Sequence, residues 1–500
     1  MSLSLQISRL GVPELEFAGS GYFSNPRRGL IEAGPFDLRF GSAHRAQIRL
    51  AIVGTADGVE LALAWFDRCQ RPIRFESTDD RNSGDTPYLG FQAIFRSELV
   101  AEERATVCIE QAAMDAATSK RPFEAFGEIV RLYAEAILHA KRQFRPDVVV
   151  CAIPEGIEKR YWSVRRPFSR DEKAAAKRVA KRRESSQLEL PLDWEPEESA
   201  EDLLTRDLRR ALKGEAMRCE VPIQLVRRNV LVDLKANEEA AIRAWNISVG
   251  LYYKGGGIPW RIRAHGPETC FVGVTFHHLR TNRRALVYSA LAQAFSSNGE
   301  GFALKGSTLE PESDHRRTPH ISQEQATALG RRVLNEYIAR NGAPPKRIVL
   351  HKSSRFTEDE QAGFRDAFHE IPVLQMAALV PSSLRLVTHA AYPPSRGTLL
   401  TLEGARHFLF TSGYIPELST YPGPHVPAPV ELIFQGDRSP NAIREACMEV
   451  LALGRLNWNT SDLRSSQPVT LGFARRVGGI MAEYGLMSEK DPDPSYRYYM

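Results

Sequence analysis

Cysteine is scarce in this 500-residue chain: Cys69, Cys108, Cys151, Cys219, Cys270 and Cys447 are scattered, with no C-x-x-C pair and no histidine spaced to complete a zinc site. That argues against a disulfide framework and a structural metal, and fits a reducing compartment. Long apolar runs are also missing. The start, MSLSLQISRLGVPELEF, has neither the basic opening nor the apolar stretch of an export signal, and no uninterrupted apolar window reaches membrane length. A cytoplasmic protein with no membrane segment is the expectation. Charge of one sign is lacking too: 66 Lys plus Arg face 61 Asp plus Glu, a net +5. So small a surplus permits nucleic-acid binding without requiring it, because clustering decides. There is no internal repeat.

What is present is α/β patterning on a chain long enough for several domains. The runs AQIRLAIVG (46–54), VELALAWF (59–66) and PIRF (72–75) read as a strand-rich opening, giving a mixed α/β N-terminal segment over 1–120. Residues 122–144 carry an apolar stripe, Phe126, Ile129, Val130, Tyr133, Ala136 and Ile137, ended by Arg145-Pro146-Asp147. DVVVCAIP then reads as a buried strand. From Lys159 to Arg183 eleven basic residues stand against two acids, and from Glu184 to Asp202 there are eight acids and no base. This is a charged insertion (159–202), read first as a solvated excursion and second as a phosphate or partner contact.

Order resumes with helix LLTRDLRRALKGEAMR, strand EVPIQLV and helix EEAAIRAWNISVGLYYK, closed by Gly255 to Gly257. A second α/β domain follows, with strands CFVGVTFHH, RALVYSALAQAF, RIVLHKS, LRLVTHA, TLLTLE and HFLFTS. Its helices are QEQATALGRRVLNEYIARNG, EDEQAGFRDAFHE and FARRVGGIMAEYG. Boundaries fall at 121–258 and 259–500.

One constellation carries chemistry. Arg209 and Lys213 share a helix face at i, i+4, Gln224 lies on the following strand, and Lys254 precedes three glycines. Converging cations, an orienting amide and a glycine turn that admits close backbone approach suit a compact, multiply charged anion such as a terminal phosphate. For Arg-x-x-x-Lys alone, a solvated face is the ordinary reading. Trp245 and Trp260 flank the constellation as packing residues, and Tyr252 or Tyr253 could stack on a base.

The order VPIQLV, WNISVGLYYKGGGIPWRI, CFVGVTFHH, NGAPPKRIVLHKSS and QPVTLGFARRVGGIMAEY, with PRRGLIEAGPFD near the start, resembles the MID and PIWI domains of Argonaute proteins. The resemblance is to the short prokaryotic members and covers about three quarters of the chain. It implies a Rossmann-like MID domain over 121–258 and an RNase H-like PIWI domain over 259–500. It also implies a guide 5′-phosphate on Arg209, Lys213, Gln224 and Lys254, with Mg²⁺ held by Gln224 and the C-terminal carboxylate of Met500.

Slicing PIWI domains hold two metals about 3.5 to 4 Å apart with converging carboxylates. Matching those positions gives Thr275 and Ser353, both hydroxyls, and Arg475, a cation that repels metals. Glu310 or Glu312 falls near the mobile glutamate's place, and Asp314 and Asp359 are the carboxylates a register error would conceal. Adjacent His277 and His278 point to opposite faces of a strand and make a poor site.

The implied function is recognition of complementary single-stranded DNA by a guide RNA, without cleavage. The resemblance further implies a heterodimer with an APAZ-containing protein bearing a TIR, sirtuin-like or nuclease effector, acting against phage or plasmids. The alternatives are an active guide-directed endonuclease and a nucleic-acid-binding protein that uses no guide.

Overall fold

The computed structural model describes residues 4–500 apart from 20, 76–85, 166–204, 234–238, 264–265, 281–285, 297–300, 310–319, 388–392, 422, 424, 437, 462 and 489. Two sheets organise the chain. The smaller has four parallel strands in the order Glu98–Cys108, Gln47–Gly54, Val148–Ile153, Ile223–Arg227. Its central strand Val148–Ile153 is buried at every position, as a parallel strand covered on both faces must be. Helix Pro122–Phe144 lays the expected stripe on one face and stops where Arg145 turns left-handed ahead of Pro146. This is the expected Rossmann-like layer. However, strands on both sides of residue 120 share the sheet, so a boundary there cuts through the layer. Strand periodicity identifies a strand but not its neighbours.

The larger sheet has nine strands, in the order Leu5–Arg9, Thr398–Leu402, Arg406–Leu409, Val430–Gln435, Val373–Pro381, Arg347–Lys352, Thr269–Arg280, Leu286–Ser296, Gly301–Leu309. Thr269–Arg280, Arg347–Lys352 and Val373–Pro381 are mutually parallel, and the hairpin strands beside them are antiparallel. With helices Gln323–Asn341 and Glu358–Ala367 in the crossovers, this is the RNase H-like order. Cys270, Val272 and Val274 point toward those helices; Phe271 alternates to the other face.

The N-terminal segment belongs to both layers. Leu5–Arg9 forms an edge of the large sheet, while Leu15–Glu16 pairs with Arg261–Ile262 at the junction. Three expected strands are corrected. PIRF makes only an isolated bridge, Ile73 with Tyr88. VELALAWF lies within helix Ala56–Arg68, where Val59, Ala62, Trp65 and Phe66 form one buried stripe. LRLVTHA is displaced by the preceding strand Val373–Pro381. Leu384 instead donates its N–H to Ser382 Oγ at 3.1 Å, a local turn, and residues 388–390 lie outside the described set.

All six cysteines are free thiols. Among the described residues no helix is long and apolar enough to cross a membrane.

Candidate nucleic-acid interface

Helix Leu208–Arg218 starts on Asp207, whose carboxylate accepts the N–H of Arg210 at 2.9 Å. Leu208, Ala211, Leu212 and Ala216 bury against the small sheet. The opposite side meets helix Ala474–Met487 of the RNase H-like unit, with Arg206 chelated by Glu483 at 2.7 and 3.1 Å. Lys213 is thereby trapped between two units at 2% exposure. It donates to the backbone oxygen of Met500 and, at 3.4 Å, to that of Tyr498. The solvated face that Arg-x-x-x-Lys alone would suggest is therefore buried, because a tail almost three hundred residues away covers it.

Lys254 ends helix Ala240–Lys254 at 3% exposure and donates to Gln224 Oε1. Gln224 sits on strand Ile223–Arg227, and its amide donates to Leu225 O at 3.0 Å. The four expected residues thus converge. Burial, then the charge of Arg209, pushes Lys254 down to about 7. Burial, then Lys254 and Arg209, pushes Lys213 well below the ordinary lysine value. Burial and Arg476 lower Arg209 to about 10. Among the described residues Lys254 is ion-paired to no carboxylate, while Lys213 donates to Met500, the residue whose terminal carboxylate the resemblance implies here. Arg476, on helix Ala474–Met487, adds a fourth cation that sequence reasoning missed, since only the docking of that helix brings it here.

The aromatic expectations divide. Trp245 and Trp260 are packing residues whose indole N–H groups donate to Thr86 O and Arg455 O, both at 2.9 Å. Tyr252 is fully buried, stacked on Phe95 with centroids 4.6 Å apart, and cannot receive a base. Tyr253 stacks on Trp458 at 4.4 Å.

Magnesium needs several hard oxygen ligands in near-octahedral array. The two oxygens expected to hold it, Gln224 Oε1 and Met500 O, each accept from a lysine ammonium, and further cations surround them. A carboxylate and an amide oxygen are hard donors of the kind that, with phosphate oxygens and waters, complete a magnesium shell. Among the described residues no three His, Cys, Asp or Glu side chains cluster as metal ligands.

In the large sheet Gly273 pairs with Gln293 on one side and His351 on the other. Thr470 of the Pro-x-Thr element caps this row: Gln293 Nε2 donates to Thr470 O at 3.3 Å, and His351 Nδ1 lies 3.0 Å from Thr470 Oγ1. Burial and Arg347 hold His351 down to about 3, so its ring is neutral. A Cβ at Gly273 would overlap the Thr470 carbonyl. Gly273→Ala is expected to cost about 3 kcal/mol or more in a denaturant melt; a wild-type melt would refute this docking.

Thr275 follows on the same face, buried, its hydroxyl without a partner among the described residues. Ser353 is exposed just past strand Arg347–Lys352. Arg475 is the second residue of helix Ala474–Met487, and its side chain lies outside the described set, as do Glu310, Glu312 and Asp314. Asp359 is exposed in the first turn of helix Glu358–Ala367. His277 and His278 are consecutive strand positions opposite Ser289 and Tyr288; their side chains also lie outside the described set.

Lys352 and Glu360, both 1% exposed, pair at 2.6 Å on the face opposite this row. Glu360 also accepts the N–H groups of Ile321 at 3.2 Å and Thr357 at 2.9 Å. Sequence reasoning did not single out this pair.

No family model and no curated protein matches the sequence. Solved structures do. The chain is similar to Clostridium butyricum Argonaute bound to a guide DNA and a 19-mer target DNA, at 13% identity and TM-score 0.62, over 96% of this chain and 53% of that one. It is similar to Aa-Ago with externally bound siRNA at 14% identity and TM-score 0.55, over 99% and 56%. A. aeolicus Argonaute gives 13% and 0.53, over 95% and 53%. The chain thus spans little more than half the length of each of these neighbours. At such identities the likeness speaks for the fold, and the fold is the MID–PIWI architecture of Argonaute proteins.

Proposed function

We propose that this chain recognises complementary nucleic acid through a bound guide, whose 5′-phosphate sits among Arg209, Lys213, Gln224 and Lys254. The observation that carries the proposal is the convergence of buried, mutually repelling cations: Lys254 donates to Gln224 and Lys213 to Met500, with Arg209 and Arg476 beside them. A multiply charged phosphate is the ligand that relieves that repulsion and accepts several charge-assisted hydrogen bonds at once. Neighbours of this fold were captured with guide and target DNA or with siRNA, which supports a guide-and-target reading. The guide is RNA and the target single-stranded DNA; base pairing supplies specificity while the protein reads backbone and helix shape.

Ammonium and guanidinium groups anchor the phosphate, and Mg²⁺ on Gln224 and the Met500 carboxylate would supply a further anchor. EDTA should weaken binding of a 5′-phosphorylated guide, with Mg²⁺ restoring it; an affinity unchanged by EDTA would leave the cations as the sole anchor.

Target recognition proceeds without cleavage. Thr275 and Ser353 offer hydroxyls where converging carboxylates would have to compensate two metal ions, and Arg475 brings positive charge. Signalling passes to a second protein, an APAZ-containing effector with a TIR, sirtuin-like or nuclease domain, in a cytoplasmic heterodimer that limits phage or plasmid spread.

The deciding experiment pairs binding with cleavage: a 5′-phosphorylated RNA guide and end-labelled complementary single-stranded DNA, in Mg²⁺ and separately in Mn²⁺. Guide-dependent binding with intact target is expected. A discrete cut within the paired region would establish an endonuclease instead.

A further inference from the structure

We infer that Asp37 is a positioning residue for the phosphate pocket, acting through Tyr252 on Lys254; the inference rests on that pocket being where the guide's terminal phosphate binds. Lys254 carries its charge on a flexible four-carbon stem, so the direction of its ammonium depends on how firmly its backbone is held. The backbone is held from two sides, and both holds come from the N-terminal segment.

The first hold is the Tyr252 hydroxyl, which donates to Asp37 Oδ1 at 2.7 Å and Oδ2 at 2.9 Å. His44 closes the cluster. Its Nδ1 lies 3.4 Å from Asp37 Oδ2 and 3.3 Å from the Tyr252 hydroxyl, and its Nε2 lies 3.1 Å from Arg96 O. The second hold lies past the glycines, where Phe36 donates its N–H to Pro259 O at 3.0 Å and Asp37 to Ile258 O at 3.4 Å.

Between the two, the turn folds onto the Tyr252 ring. Gly257 donates to Tyr252 O at 2.9 Å, and a Cβ on Gly257 would strike that ring. Gly256 sits at φ +98°, a conformation costly for any other residue. Tyr252 is thus the post around which Lys254 and its turn are wound, and Asp37 fixes the post. A buried carboxylate is expensive unless it is hydrogen-bonded. Here its two oxygens are spent on the hydroxyl two residues from the pocket's lysine.

The test measures equilibrium binding of the full chain to one RNA sequence carrying either a 5′-phosphate or a 5′-hydroxyl, with thermal unfolding in parallel. Asp37→Ala and Tyr252→Phe should each reduce the preference for 5′-phosphate roughly tenfold while leaving 5′-hydroxyl binding unchanged. Asp37→Asn, which keeps an oxygen for the Tyr252 hydroxyl, should retain the preference. An unchanged preference in Asp37→Ala, or equal weakening for both guides, overturns the inference.

Should Asp37→Ala fail to fold, the double variant Asp37→Asn with Tyr252→Phe removes hydroxyl and buried charge together, and the same outcomes apply. Lys254→Met separates the two levels. Preference lost there but kept in Asp37→Ala rejects positioning and leaves the pocket standing; preference kept in Lys254→Met rejects the pocket and the inference with it.

Discussion

A chain carrying Lys213→Glu and Lys254→Glu should bind 5′-phosphorylated and 5′-hydroxyl guides with equal affinity, a loss of preference of at least roughly a hundredfold. Each ammonium offers a charge-assisted hydrogen bond to phosphate, and each carboxylate would repel it in a site closed to water. Unchanged preference would move the phosphate elsewhere.

The same pocket dictates a pH dependence. Burial and Arg209 push Lys254 down to about 7, from an ordinary value of 10.5. Between those values the unfolded chain binds a proton that the folded pocket does not, so this group makes stability rise with pH across that window. A bound phosphate reverses the balance by favouring the charged ammonium. Guide binding therefore takes up a proton above pH 7, and the 5′-phosphate preference should fall as pH rises from about 6 to about 8. A flat ratio of the two affinities would contradict this.

Breaking the buried pair Lys352–Glu360 from one side should be the most damaging change outside the pocket. Lys352→Met or Glu360→Gln alone leaves an uncompensated buried charge and should cost roughly 3 to 5 kcal/mol in a denaturant melt, whereas Lys352→Met with Glu360→Leu should come within about 1 kcal/mol of wild type. If the double variant is as unstable as the singles, the pair is not the reason. Burial alone would raise the Glu360 carboxyl. Hydrogen bonds from His320 and the charge of Lys352 instead bring it to about 2, against an ordinary 4.5. Its stabilisation is thus full above about pH 4.5 and lost as pH falls through about 2. The pair also bears on metal chemistry: this buried carboxylate beside the central strands faces away from Thr275 and is committed to a lysine.

The pocket was legible because its parts sit on local signals: an i, i+4 cation pair, an amide on a buried strand, a lysine before three glycines. What surrounds it was not. Nothing near Lys213 in sequence indicates that Tyr498 and Met500 cover it, Met500 being placed there only by the family resemblance, and Arg476 joins only through helix docking. Tyr252 was misjudged for the same reason: an aromatic near a phosphate site suggests stacking until Asp37 and Phe95, from a distant segment, claim its hydroxyl and its ring. The stripe fixed its helix over 122–144 by a spacing repeated along about six turns. VELALAWF is too short for that, and its tertiary neighbours decided between strand and helix. LRLVTHA reads as strand by composition, yet the sheet position beside Arg347–Lys352 was already filled by the preceding segment.

Lys213 reaches from one structural unit to backbone oxygens of the other, so the pocket exists only while the units are docked. Guide occupancy and docking are then reciprocally linked: whatever free energy a guide gains from the docked arrangement, it returns as resistance to separation. On the proposed function, a guide would be a fastener as well as a probe, and the chain's cohesion a readout of its cargo.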